Sequence, residues 1–293
     1  IRRPPRSTRK ESSAASDVYK RQINTIPSGS KGPCHVSTDK TGKLLLAANY
    51  AGGASTITSI NDDGSLSSKI QVVQHQGSSI DPNRQMEPHA HSINVTPNNK
   101  FALVPDLGTD KVMIFKIDHD DNKLLPNDPS FGKIDPGMGP RHLEFHPNGK
   151  VLYVINEMGA TITSFDFDQS SGELDPIQTI STVPDSEKMK SCADIHISSN
   201  GKFLYGSNRG HSNLAIFSVS EDGRNLTNSG YQSTLGETPR NFSIDPLDNY
   251  LLAANQDSGD IFTFKINQED GTLEPTGAKI DIPYAVCIKF LKR

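Results

Sequence analysis

The sequence predicts an all-β protein of the β-propeller class, and three observations carry that reading. A turn followed by an apolar strand is written five times, as Gly42-Lys43-LLLAANY, Asn99-Lys100-FALVPDL, Gly149-Lys150-VLYVINE, Gly201-Lys202-FLYGSNR and Asp248-Asn249-YLLAANQ. The anchor residues lie 57, 50, 52 and 47 apart, the spacing of propeller blades. No segment between the anchors shows sustained helical periodicity. The chain has no Trp, which disfavours the WD-repeat version of the fold.

Each unit offers four short strands. The first precedes the anchor, as in HSINVT from His91 and HLEFH from His142. The second follows the anchor. The apolar runs on both sides are nearly continuous, which fits strands buried between neighbouring blades. The third alternates apolar and polar residues: KVMIFKI from Lys111, TITSFDF from Thr161, NLAIFSV from Asn213 and DIFTFKI from Asp260. A Gly-containing turn and a Leu open the fourth, in DGSL at 63–66, SGEL at 171–174 and DGTL at 270–273. β-Branched and aromatic runs bounded by Gly, Asn, Asp and Pro are strand signals joined by hairpin turns.

Five units are visible, residues 23–33 read as the tail of an earlier one, and PYAVCIKF at 283–290 reads as a further strand. In a ring that last strand would complete a blade begun at the other end of the chain. An open arc would leave strand edges and apolar faces uncovered, so the expectation is a seven-bladed propeller, N-terminally truncated, with about five blades present.

Composition narrows the partners. Residues 1–22 carry 7 of the 30 Lys+Arg and only 2 of the 34 Asp+Glu, with no apolar core behind the basic start. They read as a non-native or disordered leader rather than a signal peptide, and residues 23–293 as the propeller domain. That domain holds 23 basic and 32 acidic residues, a net of −9, which argues against nucleic acid or an anionic membrane as partner. No apolar run approaches the roughly 18 residues of a membrane span, so a soluble protein is expected. Three widely separated cysteines, Cys34, Cys192 and Cys287, suit a reducing cytoplasm without a disulfide framework.

Departures from the repeat mark the candidate site. In a blade the first strand lines the central channel and the second runs back beside it, so residues eight before and eight after an anchor emerge on one face. The eight-before positions hold Cys34, His91, Arg141, Ala193 and Arg240; the eight-after positions hold Tyr50, Leu107, Glu157, Arg209 and Gln256. His91, Arg141, Glu157 and Arg209 are thereby placed around one channel mouth with Arg240 adjacent. A base, a carboxylate and several guanidiniums in one concavity suit hydrolysis or isomerisation of an anionic substrate. The position seven after the anchor is Asn or Asp in all five copies: Asn49, Asp106, Asn156, Asn208 and Asn255. Such recurrence marks a structural turn cap, although Asn156 and Asn208, beside Glu157 and Arg209, are also candidates for holding substrate.

Other histidines read as structural. His35 and His142 share one register, which points to packing, and His196 lies one strand pitch inward and is expected to be buried. Glu87, His89 and His91 have ligand-like spacing, but no second ligand cluster accompanies them, so no metal is expected. No serine-hydrolase elbow, P-loop or dinucleotide fingerprint occurs.

At these residues the chain resembles a known family. EPHAHSINVTPNNKFALVPDLGTDKV, GPRHLEFHPNGKVLYVINE, LYGSNRGHS, TPRNFSIDPLDNYLLAANQDS and VCIKF are similar to the seven-bladed lactonase family. Its bacterial members include propeller-type 6-phosphogluconolactonases and its fungal relatives carboxy-muconate cyclases. The resemblance spans nearly all of residues 30–290, lacks the family's first blade and most of its second, and places the family's site on His91, Arg141, Glu157 and Arg209. It implies hydrolysis of a sugar lactone, 6-phosphogluconolactone to 6-phosphogluconate in the pentose phosphate pathway, with no cofactor. His91, with an ordinary pKa of about 6.5, or Glu157 would take the proton from water. Arg141 and Arg209 would stabilise the oxyanion or hold the phosphate. A muconate-type lactonising or cycloisomerising enzyme would share the site type. A non-catalytic propeller that binds protein at its rim would have no need of a convergent His, Glu and Arg set.

Overall fold

The computed structural model describes residues 22–184 and 190–290, so the leader expected over 1–22 lies almost wholly outside the described residues. Twenty strands form five four-stranded antiparallel sheets, each in sequence order. The first holds β1 (Pro33–Thr38), β2 (Leu44–Asn49), β3 (Ala54–Ile60) and β4 (Leu66–Gln74). The second holds β5 (Asn94–Val95), β6 (Phe101–Asp106), β7 (Lys111–Asp118) and β8 (Lys123–Lys133). The third holds β9 (Pro140–Phe145), β10 (Val151–Asn156), β11 (Thr161–Phe167) and β12 (Leu174–Ser181). The fourth holds β13 (Cys192–Ile197), β14 (Phe203–Asn208), β15 (Asn213–Val219) and β16 (Leu226–Ser233), and the fifth β17 (Pro239–Ile244), β18 (Tyr250–Asn255), β19 (Asp260–Ile266) and β20 (Leu273–Asp281). The described residues contain no helix.

The continuous apolar second strands are explained by two-sided burial. In β6, Phe101 and Leu103 enter the core shared with the third sheet, whereas Ala102 and Val104 enter the core shared with the first. In β10, Leu152 and Val154 face the second sheet's core, and Val151, Tyr153 and Ile155 face the fourth's. Successive side chains point to opposite faces of a strand, so a strand clamped between two sheets needs apolar residues at every position. Polar clamps fix the spacing. Tyr153 Oη donates to Gly223 O of the next sheet, and Tyr205 Oη to Gly271 O. The side-chain amides of Gln71 and Gln178 each make two bonds to the backbone of a Leu at the start of the neighbouring fourth strand, Leu124 and Leu226.

The recurrent Asn/Asp behaves as a cap. Asn49 donates to Ala54 O and Thr56 Oγ1, Asn156 to Thr161 and Thr163, Asn208 to Thr182 O and Asn213, and Asn255 to Thr234 O and Asp260. Asp106 is the one acid in the series, and it accepts more. Its Oδ1 takes the backbone amides of His89 and Gly108, and its Oδ2 lies 2.6 Å from His75 Nδ1. His75 Nε2 in turn lies 2.9 Å from Ser55 Oγ. Ser55, His75 and Asp106 thus stand in the order of a hydrolytic triad, but all three are sealed between the first and second sheets. They tie two blades together.

Two expectations need correction. Residues 283–290 form no strand. The segment is tied to the fifth sheet by Ile288 N donating to Asn241 Oδ1, and without a ladder of paired amides and carbonyls an extended segment is not a strand. His196 is only partly buried, with a quarter of its side chain exposed between two carboxylates.

A bulge recurs in the first strands. Pairing of β1 with β2 skips Cys34, that of β9 with β10 skips Arg141, and that of β17 with β18 skips Arg240. The β13–β14 ladder breaks between Cys192 and Ile195, and only a bridge at Ala90 precedes the short β5, which leaves His91 outside the ladder. A bulge residue is unpaired and its side chain re-aimed. The eight-before register is therefore the bulge register, and Cys34, His91 and Arg240 are turned from it toward the channel mouth.

Candidate active site

Glu157 is the centre of the cluster. It follows β10, where Glu157 N donates to Gly139 O and Glu157 O accepts from Cys192 N, so the backbone is held from both sides. Its Oε1 meets Arg84 Nη2 at 2.9 Å, and its Oε2 meets Arg141 Nε at 3.1 Å and Arg209 Nη2 at 3.0 Å. His91 Nε2 lies 3.7 Å from Oε2. Burial pushes the Glu157 carboxyl up, but Arg209, Arg141 and Arg84 outweigh it and hold the group below the ordinary carboxylate value. Glu157 is thus an ionised carboxylate at neutral pH. Burial and the charge of Arg141 hold His91 well below its ordinary value, so its ring is neutral. The expected near-neutral titration of His91 is corrected accordingly.

A cavity of about 470 Å³ opens over this cluster, lined by Cys34, Tyr50, Arg84, His91, Glu157, Arg209 and Arg240 among others. The structure brings four expected residues to its wall: His91, Glu157, Arg209 and Arg240. Arg240 carries no ion pair among the described residues, unlike Arg84, Arg141 and Arg209. A guanidinium in a concavity without a carboxylate partner suits an anionic ligand.

Arg141 departs from expectation. It is 3 % exposed, lies beneath Glu157 and does not line the cavity. Besides Glu157, its donors serve Ala193 O and His142 Nε2. His142 therefore carries its proton on Nδ1, which donates to Asp194 Oδ1 at 2.7 Å. Asp194 Oδ2 meets His196 Nε2 at 3.2 Å, and His196 Nδ1 meets Glu144 at 3.2 Å. A polar chain thus runs from Glu157 to Glu144 along the inner strands of the third and fourth sheets. Asn156 and Asn208 are fully buried caps and do not reach the cavity.

Two wall residues, Tyr50 and Arg84, escaped the sequence reading. Tyr50 occupies the eight-after register of the first unit, so its signal was present but chemically mute without its neighbour. Arg84 lies between β4 and β5, in a segment that no repeat register covers.

The channel histidines predict a stability profile. Burial, then neighbouring charge, lowers His35 to about 3 and His142 to about 4, so both stay neutral in the fold at pH values where the unfolded chain takes up protons. Stability is therefore expected to rise with pH up to about 6.5, the ordinary histidine value. His196 behaves oppositely: burial lowers it, but Asp194 and Glu144 outweigh burial and raise it to about 10. Its contribution is complete below about pH 6.5 and is lost as pH rises toward 10. The urea midpoint should accordingly peak near pH 6.5, and His196→Gln should flatten the alkaline side. A midpoint that climbs from pH 7 to 9 in the unaltered protein would contradict this assignment.

Comparison with known proteins identifies the family to which this fold belongs. A family model described as "Lactonase, 7-bladed beta-propeller" matches residues 11–290 and so begins inside the segment read as a leader. The chain is 35 % identical over 260 residues to a 6-phosphogluconolactonase of Bacillus subtilis, covering 88 % of this chain and 73 % of the relative. A crystal structure from Bacteroides fragilis, provisionally described as a 6-phosphogluconolactonase, superposes with a TM-score of 0.86 at 39 % identity, over 92 % of this chain and 76 % of that one. A periplasmic gluconolactonase of Pseudomonas aeruginosa superposes with a TM-score of 0.83 at 29 % identity, over 88 % of this chain and 73 % of that one.

Proposed function

The chain belongs to the seven-bladed β-propeller lactonase family and is a lactone-hydrolysing enzyme, and on that premise we propose that its substrate is 6-phosphogluconolactone, opened to 6-phosphogluconate. The product would feed the oxidative pentose phosphate route, and the three unpaired cysteines suit the cytoplasm as the proposed compartment.

One observation carries the substrate reading. The cavity wall presents a single carboxylate against three guanidiniums, of Arg84, Arg209 and Arg240, and Arg240 has no ion pair among the described residues. Such a positive wall attracts a phosphate and favours the negative charge that develops on a lactone carbonyl oxygen under attack. Water attacks the carbonyl carbon and its proton passes to the His91–Glu157 pair, one member a neutral imidazole and the other an ionised carboxylate. Arg209, held by Cys192 O as well as Glu157, faces the oxyanion. Collapse of the tetrahedral intermediate breaks the ring C–O bond, and the proton returns to the leaving alkoxide to give the open hydroxy acid. Arg141 touches no substrate in this scheme and acts through Glu157.

The test is a lactonase assay with spontaneous hydrolysis subtracted. Arg240→Ala should raise KM for the phosphorylated lactone by about tenfold or more, the worth of a charge-assisted hydrogen bond, with a far smaller effect on gluconolactone. No enzymatic turnover of either lactone would sink the assignment.

A further inference from the structure

The cluster around Glu157 contains one cation unlike the others. Arg141 and Arg209 arise from blade registers and each has an additional backbone anchor, Ala193 O and Cys192 O respectively. Their side chains are 3 % and 14 % exposed, whereas that of Arg84 is 43 % exposed. The Arg84 guanidinium has two partners, Glu157 Oε1 at 2.9 Å and the neutral Tyr50 Oη at 3.0 Å, both on the cavity wall.

The backbone beneath Arg84 is, by contrast, firmly held. Asp81 Oδ1 accepts from Asn83 N and Arg84 N, and Gln85 N returns to Asp81 O. The buried Gln85 side chain ties the loop to Leu107 O and Asp110 Oδ2. The following residues pack so closely that a Cβ at Gly108 would lie 1.9 Å from Glu87 O and one at Gly53 would lie 2.4 Å from Pro88 O. Tyr50 is fixed too: its ring stacks on His89 at 4.6 Å and meets His91 edge-on at 5.1 Å. A rigid loop therefore presents a long cationic side chain whose tip alone is free to exchange partners.

Resting on the lactonase reading of this cavity, we infer that Arg84 is a second specificity-determining residue of the site, beside Arg240: its guanidinium takes the anionic oxygens of the substrate and, in turning to them, releases Glu157 Oε1. Anion binding and activation of the base are thereby coupled. The groups facing Glu157 are Arg84 from the loop, Arg141 from β9, Arg209 after β14 and His91 before β5, with Arg240 of β17 farther out. Withdrawal of one of three contacting cations makes the carboxylate more basic, so its capacity to accept a proton from water rises when an anionic lactone has docked. A neutral lactone leaves Arg84 on Glu157 and reacts with the weaker base.

The experiment compares the unaltered protein, Arg84→Gln and Arg84→Lys with 6-phosphogluconolactone and gluconolactone over pH 4–8. Arg84→Gln should reduce the preference for the phosphorylated lactone by about 10- to 100-fold, chiefly through KM, and Arg84→Lys should regain part of it. Removing a cation beside a carboxylate raises its pKa, so the acidic limb of kcat/KM should move up by about one pH unit in Arg84→Gln. A merely structural ion pair would move that limb alike for both lactones but would leave the preference between them unchanged. Unchanged preference overturns the inference, whether or not the limb moves. If the unaltered protein turns over neither lactone, the lactonase reading fails. Calorimetry with 6-phosphogluconate then still judges Arg84: about tenfold weaker binding in Arg84→Gln supports the inference, and an unchanged Kd overturns it.

Discussion

Exchange of Glu157 for Gln is expected to lower kcat for the phosphorylated lactone by about 100-fold or more, the usual worth of a positioned general base. It should also destabilise the fold, and the two effects have separate causes. Catalytically, the amide cannot take the proton from water, and it removes the negative partner of the His91 ring 3.7 Å away. Structurally, three guanidiniums lose their common carboxylate. Arg209 and Arg84 can turn toward the cavity, but Arg141 is 3 % exposed and has no route to water. Stranding one member of a buried ion pair costs about 3–5 kcal/mol. Glu157→Asp keeps the charge while withdrawing it by one methylene, so it should recover stability more fully than turnover. Assays well below the melting temperature separate the two contributions. A folded Glu157→Gln protein within about tenfold of the original kcat would remove Glu157 from the chemistry.

The second large effect falls at a buried residue that does not line the cavity. Asp106→Ala should cost about 3 kcal/mol of stability, because it orphans His75 and the amides of His89 and Gly108 at once in a fully buried setting. For a domain of this size each kcal/mol moves Tm by roughly 2–4 °C, so a loss of about 6–12 °C is expected. Ser55→Ala, which removes only the last member of the Ser–His–Asp chain, should cost about 1 kcal/mol and leave kcat unchanged. That pairing of results separates a structural staple from a hydrolytic triad of the same order. A kcat collapse in Ser55→Ala would make the sealed triad catalytic and the Glu157 cavity secondary.

Much of this molecule was legible in its sequence, because a repeat reports the environment that every copy shares. The uninterrupted apolar run after each anchor records a strand pressed between two neighbours, and the invariant Asn or Asp seven residues on records a turn that each blade must cap. Positions that break the repeat within one register cannot serve that shared environment, and His91, Glu157, Arg209 and Arg240 were found at the cavity wall by that logic. Why the eight-before register faces the mouth was not legible: it depends on a bulge that skips Cys34, Arg141 and Arg240 in their ladders, and a bulge leaves no residue type behind. The strand expected at 283–290 failed for a related reason, since apolar alternation shows what a segment can pair with and not whether a partner is there.

The sequence by itself determined the order of the four-stranded units and which ionisable residues share a register, since these follow from local periodicity and from the two-residue repeat of a strand. Only the tertiary structure decided which of those residues meet solvent and in which charge state. Arg141 and Glu157 sit in equivalent-looking registers, yet one is packed beneath the other, and desolvation together with the neighbouring charge keeps His91 neutral. Arg84 reaches Glu157 from 73 residues away, on a loop outside the repeat. Burial, electrostatic neighbours and loop approach are sums over contacts remote in the chain, and local periodicity carries no record of them.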